Sequence, residues 1–129
     1  MSSPRPLLLI VDDESRILTA LIRALRREPY DVVTAETPAE ALRVLDERRV
    51  DLIVSDHKMP GMNGVELLGR AAVQSPATVR ILITGWTEEV PAAELAEIGV
   101  RALLPKPWDD AELKATLRSA LGLPIGSTA

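Results

Sequence analysis

A chain of 129 residues with 47% apolar but only 2% aromatic side chains has the length of one domain, and its core must be built from Leu, Ile, Val and Ala. The absence of cysteine excludes disulfides, thiolate metal sites and a cysteine nucleophile, and a net charge of −4 offers no basic field for wrapping nucleic acid. No apolar run approaches membrane-spanning length, and Met1 to Pro6 is too short and polar for a signal peptide, so a soluble cytoplasmic protein is expected.

Leu7 to Val11, LLLIV, is the continuous apolar run of a strand buried on both faces, and it leads into Asp12, Asp13 and Glu14. Over residues 15 to 28, Ile17, Leu18, Leu21, Ile22 and Leu25 share one helical face, and Pro29 stops that helix. Asp31 to Ala35 reads as a short strand. Thr37, Pro38 and Glu40 then predict a capping box opening a helix that reaches about Arg48. Leu52, Ile53 and Val54 form a third strand with Asp56 at its end, before Pro60, Gly61, Asn63 and Gly64 break the chain.

Asn63 and Glu66 predict the cap of a helix running to about Gln74. Residues 78 to 84, TVRILIT, read as a fourth strand, followed by Gly85-Trp86-Thr87-Glu88-Glu89 and a short helix over residues 92 to 98 that Gly99 stops. Pro91 is compatible only with the first turn of that helix. Residues 102 to 104 predict a short fifth strand before Pro105-Lys106-Pro107. Asp109 and Glu112 cap a final helix whose Leu113, Leu117, Ala120 and Leu121 share a face, with Gly122 as its C-cap. The expected organisation is a disordered segment at 1–6, one domain over 7–121, and a tail or linker stub at 122–129.

Strands alternating with helices predict a three-layer α/β domain with a parallel sheet and right-handed crossovers. Strand order does not follow from the pattern. The carboxyl ends of the strands do lie on one edge, where ligands bind in open α/β sheets. That edge gathers Asp12 and Asp13, Asp56, Thr84 and Lys106.

LLIVDDE (residues 8–14), SDHKMPGMNGVELL (55–68), ILITG (81–85) and LLPKPW (103–108), in that order, resemble the receiver domains of two-component response regulators over nearly the whole chain. The resemblance implies a doubly wound (βα)5, flavodoxin-like fold with sheet order 2-1-3-4-5. It implies Asp56 as phosphoacceptor, Asp12 and Asp13 as a metal-binding pair, Thr84 as a switch hydroxyl and Lys106 as the phosphate-pairing base. A histidine kinase or phosphotransfer protein would then be the donor. A downstream output domain or protein would be the recipient, and a homodimer would form through the fourth helix, fifth strand and fifth helix. The only chemistry implied is phosphorylation and dephosphorylation of the domain's own aspartate, with no direct contact to nucleic acid or membrane.

The residue types suit that chemistry. Two carboxylates ~4 Å apart repel by roughly 4 kcal/mol at an effective dielectric of about 20, and an incoming phosphoryl group adds more negative charge. Mg²⁺ matches such hard oxygen ligands. Direct ligation by Asp13 and Asp56 is expected, with Asp12 through water and, as the resemblance implies, the backbone carbonyl of Lys58. The family pattern also implies a cis peptide at Lys106-Pro107. It departs at Leu103, where many receivers carry a Tyr or Phe that moves with the switch hydroxyl.

Each residue also has a plainer role. Asp12 and Asp13 suit solvated caps of the first helix, Thr84 a β-branched strand end, and Lys106 a surface charge. His57 suits an exposed loop position better than a phosphorelay histidine. Trp86 and Trp108 suit loop packing, although Trp86 could also shield an acyl phosphate from water. Two other functions remain open. One is a receiver-like scaffold that phosphorylation does not switch; the other is a phosphatase of the haloacid dehalogenase type, against which the adjacency of Asp12 and Asp13 counts.

Overall fold

The computed structural model describes residues 5–85 and 90–124. Trp86 and the rest of the loop expected to link Gly85 to the fourth helix lie outside the described residues. So do residues 1–4 and 125–129 of the expected terminal segments.

Five strands and five helices alternate: β1 (Leu7–Val11), α1 (Ser15–Ala24), β2 (Asp31–Ala35), α2 (Pro38–Glu47), β3 (Leu52–Asp56), α3 (Gly64–Gln74), β4 (Val79–Gly85), α4 (Ala92–Glu97), β5 (Val100–Lys106) and α5 (Asp110–Ala120). The strands pair in parallel in the order β2-β1-β3-β4-β5, the flavodoxin-like order. β1 and β3, at the centre, are buried along their whole length, which is why all of β1 and the first three residues of β3 read as continuous apolar runs.

Alternate residues of these strands feed two separate cores. Leu9, Ile53 and Leu82 pack with Ala41 and Leu45 of α2, Val65, Leu67 and Leu68 of α3, and Leu95 of α4. Leu8, Ile10, Leu52 and Ile81 pack on the other face with Leu18 and Leu21 of α1 and Leu113 and Leu117 of α5. Each fully buried aliphatic side chain contributes about 1.5–3 kcal/mol relative to exposure, so the sheet is stabilised from both sides. Among the described residues no helix is long and apolar enough to cross a membrane.

Several boundaries differ from the sequence reading. α1 stops at Ala24 rather than running to Glu28. Pro29 disfavours helical geometry at the preceding residue, and the chain tightens into a turn in which Glu28 N–H donates to Leu25 O at 3.0 Å. β5 is longer than residues 102–104 because it pairs with β4 from Arg80↔Val100 to Gly85↔Lys106, and its edge position tolerates Pro105. β4 accordingly runs through Gly85. Pro91 is the N-cap of α4 rather than a residue of its first turn. Leu121 is the C-cap of α5, and Gly122 follows it in the left-handed region with φ 71°. Thr37 accepts the Glu40 N–H at 3.1 Å, while the reciprocal capping box forms at Asn63 and Glu66.

Candidate functional site

The site stands where β1, β3 and β5 end on one edge of the sheet. Asp12 follows β1, and its own N–H donates to Ala35 O at 3.1 Å, extending the pairing with β2 by one residue. Its carboxylate is buried, and Oδ1 accepts the Glu14 N–H at 2.9 Å, a tight turn that faces the carboxylate inward. Asp56 is the last residue of β3 and is also buried, while Asp13 is exposed. One carboxylate oxygen from each of Asp12, Asp13 and Asp56 lies within 4.8 Å of the other two.

Lys106, the last residue of β5, reaches into this cluster. Its Nζ lies 3.3 Å from Asp56 Oδ1 and 3.4 Å from Asp12 Oδ2. The peptide that follows, Lys106-Pro107, is cis. Burial pushes the Asp12 carboxyl above the usual carboxylate value, against the opposing pull of the Glu14 amide and the Lys106 ammonium. For Lys106 burial acts downward, but the Asp56 and Asp12 carboxylates outweigh it and hold the ammonium above its ordinary value.

Three carboxyl groups set against one ammonium offer hard oxygens grouped within 4.8 Å of one another. That donor set fits a divalent cation such as Mg²⁺.

Thr84 is half-buried near the end of β4, opposite Pro105 of β5, and Gly85 stands opposite Lys106. Lys58 is exposed two residues beyond Asp56. The fold thus brings Asp12, Asp13, Asp56 and Lys106 together and sets Thr84 on the adjoining strand end. His57 is half-buried, and its Nδ1 has no hydrogen-bond partner among the described residues. Trp108 packs against the α1 and α5 core. Leu103 is 50% exposed.

Sequence reasoning missed Ser55. It is fully buried, opposite Val11 of β1 and Leu82 of β4, and its hydroxyl donates to the backbone carbonyl of Asp56 at 2.8 Å. A serine inside an otherwise apolar strand, next to the acid, was the available signal, because a buried hydroxyl must find an acceptor.

Comparisons with known proteins agree with this geometry. The family described as the response regulator receiver domain matches residues 8–118. The hydrogenase transcriptional regulatory protein HoxA of Cupriavidus necator is 38% identical over 122 residues, covering 94% of this chain and 25% of HoxA. The transcriptional regulatory protein GlrR of Escherichia coli K12 is 38% identical over 114 residues, covering 88% of this chain and 26% of GlrR. The chain therefore spans about a quarter of the length of these two relatives. The crystal structure of the signal receiver domain of an HD domain-containing protein from Pseudomonas fluorescens Pf-5 superposes with a TM-score of 0.87 at 39% identity, covering 95% of this chain and 90% of that one. Matched in sequence over most of its length and in fold over nearly all of it, this chain belongs to the receiver domains of two-component response regulators.

Proposed function

We propose that Asp56 accepts a phosphoryl group from a histidine kinase or phosphotransfer protein, and that the modified domain changes its affinity for an output domain, a separate protein or a second copy of itself. The observation that carries this reading is the convergence of Asp12, Asp13 and Asp56 on one point, with the Lys106 ammonium 3.3 Å and 3.4 Å from two of them. Mg²⁺ would be held by Asp13 and Asp56, by Asp12 through water and by the backbone carbonyl of Lys58. When bound it supplies positive charge that lets an anionic carboxylate meet an anionic phosphoryl donor.

An Asp56 carboxylate oxygen forms the new P–O bond as the donor's bond to phosphorus breaks, and the leaving group departs with that electron pair. Lys106 exchanges part of its pairing with Asp56 and Asp12 for a phosphoryl oxygen, which suits a compact charge on a flexible stem. The Thr84 hydroxyl donates to another phosphoryl oxygen, and Gly85, without a side chain, leaves room for the incoming group. Inward movement of Thr84 then alters the surface that partners read. The chemistry is confined to Asp56 itself, in a cytoplasmic setting, and turns over no other substrate.

Intact-mass spectrometry after incubation with acetyl phosphate tests this. One Mg²⁺-dependent phosphoryl adduct is expected, abolished by EDTA and by Asp56→Asn. A second reading, a receiver-like scaffold that phosphorylation does not switch, draws on Leu103, because an aliphatic side chain cannot present the large ring through which many receivers couple to Thr84. The absence of an adduct in protein shown to bind Mg²⁺ would favour the scaffold.

A further inference from the structure

We infer that Gly64 and Ser55 are positioning residues for this site, acting together on the backbone carbonyl of Asp56; the inference rests on the phosphoacceptor reading of that aspartate. Gly64 is the buried first residue of α3, and the helix begins against the end of β3. A Cβ placed on Gly64 would overlap the Asp56 carbonyl oxygen and would lie 2.7 Å from Leu82 Cδ1 and 2.8 Å from His57 Cα. Two of those three atoms are backbone, which cannot rotate aside as the end of a side chain can. Gly64 is not among the glycines with positive φ, so the demand here is for space. Gly61 is the converse, with φ 83° and open space where a Cβ would stand.

Hydrogen bonds close the loop on either side of this contact. Gly64 N–H donates to His57 O at 2.8 Å, and His57 N–H donates to Ile83 O at 3.1 Å on β4. The Ser55 hydroxyl holds the Asp56 carbonyl at 2.8 Å. The peptide that follows the Asp56 carboxylate is thus fixed by a hydroxyl and by the close approach of α3. Any side chain at position 64 must lift the start of α3 or push the end of β3. Either movement re-aims the Asp56 carboxylate and displaces Lys58, both expected ligands of the cation.

The test is to titrate MgCl2 into the unphosphorylated protein, following backbone amide shifts by NMR, for wild type, Gly64→Ala, Ser55→Ala and Leu67→Ala, with thermal unfolding of each. Gly64→Ala should bind Mg²⁺ about tenfold more weakly, and Ser55→Ala should weaken binding by less, the scale on which groups that orient metal ligands act. Leu67→Ala removes buried core from the same helix, so it should lower thermal stability while keeping wild-type Mg²⁺ affinity. Wild-type affinity in Gly64→Ala overturns the inference. So does an equal loss in Leu67→Ala, which would make weak binding a consequence of lost stability. If Gly64→Ala does not fold, Ser55→Ala decides: weakened binding supports the inference and unchanged binding overturns it. If the wild type itself binds no Mg²⁺, the phosphoacceptor reading falls and takes this inference with it.

Discussion

Lys106 holds two buried carboxylates in place, and its role depends on what else neutralises them. Removing its charge by Lys106→Met takes away the ammonium that stands 3.3 Å from Asp56 and 3.4 Å from Asp12, and leaves those two carboxylates facing each other and the nearby Asp13. Leaving a buried charge uncompensated costs more than the original pair contributed. Urea denaturation at pH 7 without divalent cations should show Lys106→Met less stable than wild type by about 1–3 kcal/mol. Adding Mg²⁺ should narrow that gap, because a cation that binds only the folded state stabilises it by mass action. A gap that stays the same at saturating Mg²⁺ would mean that the ammonium and the metal do not answer the same charge.

At the scale of elements, two contacts join helices to what surrounds them. Arg118 of α5 forks onto Glu28, with Nε 2.8 Å from Oε1 and a second nitrogen 3.0 Å from Oε2, tying the turn after α1 to α5. The hydrogen bond from Arg118 holds the Glu28 carboxyl below its ordinary value, against the opposing effect of burial. A lowered folded-state value means that the contribution to stability is present above the unfolded-state value near 4.5 and is lost as pH falls through the folded-state value. Glu28→Gln should therefore be less stable than wild type at pH 7, and the difference should shrink in acid; denaturation midpoints measured across that range check it. The capping box of α3 gives a second prediction. Asn63→Ala should cost about 1 kcal/mol in the same assay, the usual worth of such a cap, because Glu66 N–H loses its acceptor at 2.8 Å. The cap at Asn63 was legible in the sequence, as were β1 and β2 to the residue, since apolar runs and caps are local signals. The length of β5 was not, because residues 100, 105 and 106 become strand only by pairing with β4, with Arg101 bulging between the pairs at 100 and 102.

At the scale of the molecule, the sheet order follows from neither periodicity nor composition, yet it is what brings Asp12, Asp56 and Lys106 together from positions 94 and 50 residues apart in the chain. The acids and the lysine could be singled out in sequence because chemistry needs their side chains. Gly64 could not, because its role lies in space left empty, which exists only after packing; Ser55 carried a signal as a hydroxyl in an apolar strand, but its choice of acceptor is likewise settled only by the fold. Leu103 poses the remaining question at this scale. Residues 101, 103 and 105 of the edge strand are exposed while 100, 102 and 104 are covered, and Leu103 is the large apolar side chain on the open face. A half-exposed leucine contributes little to folding, so Leu103→Asp should change stability by less than about 1 kcal/mol. If that face serves a second copy of the chain, one of the three recipients named in the proposed function, acetyl phosphate and Mg²⁺ should raise the sedimentation coefficient of the wild type. In Leu103→Asp the same treatment should still phosphorylate Asp56 but leave the protein monomeric, because a desolvated carboxylate facing its symmetry mate opposes association. Unchanged self-association in Leu103→Asp would remove this face from the interface and direct attention to the other helices.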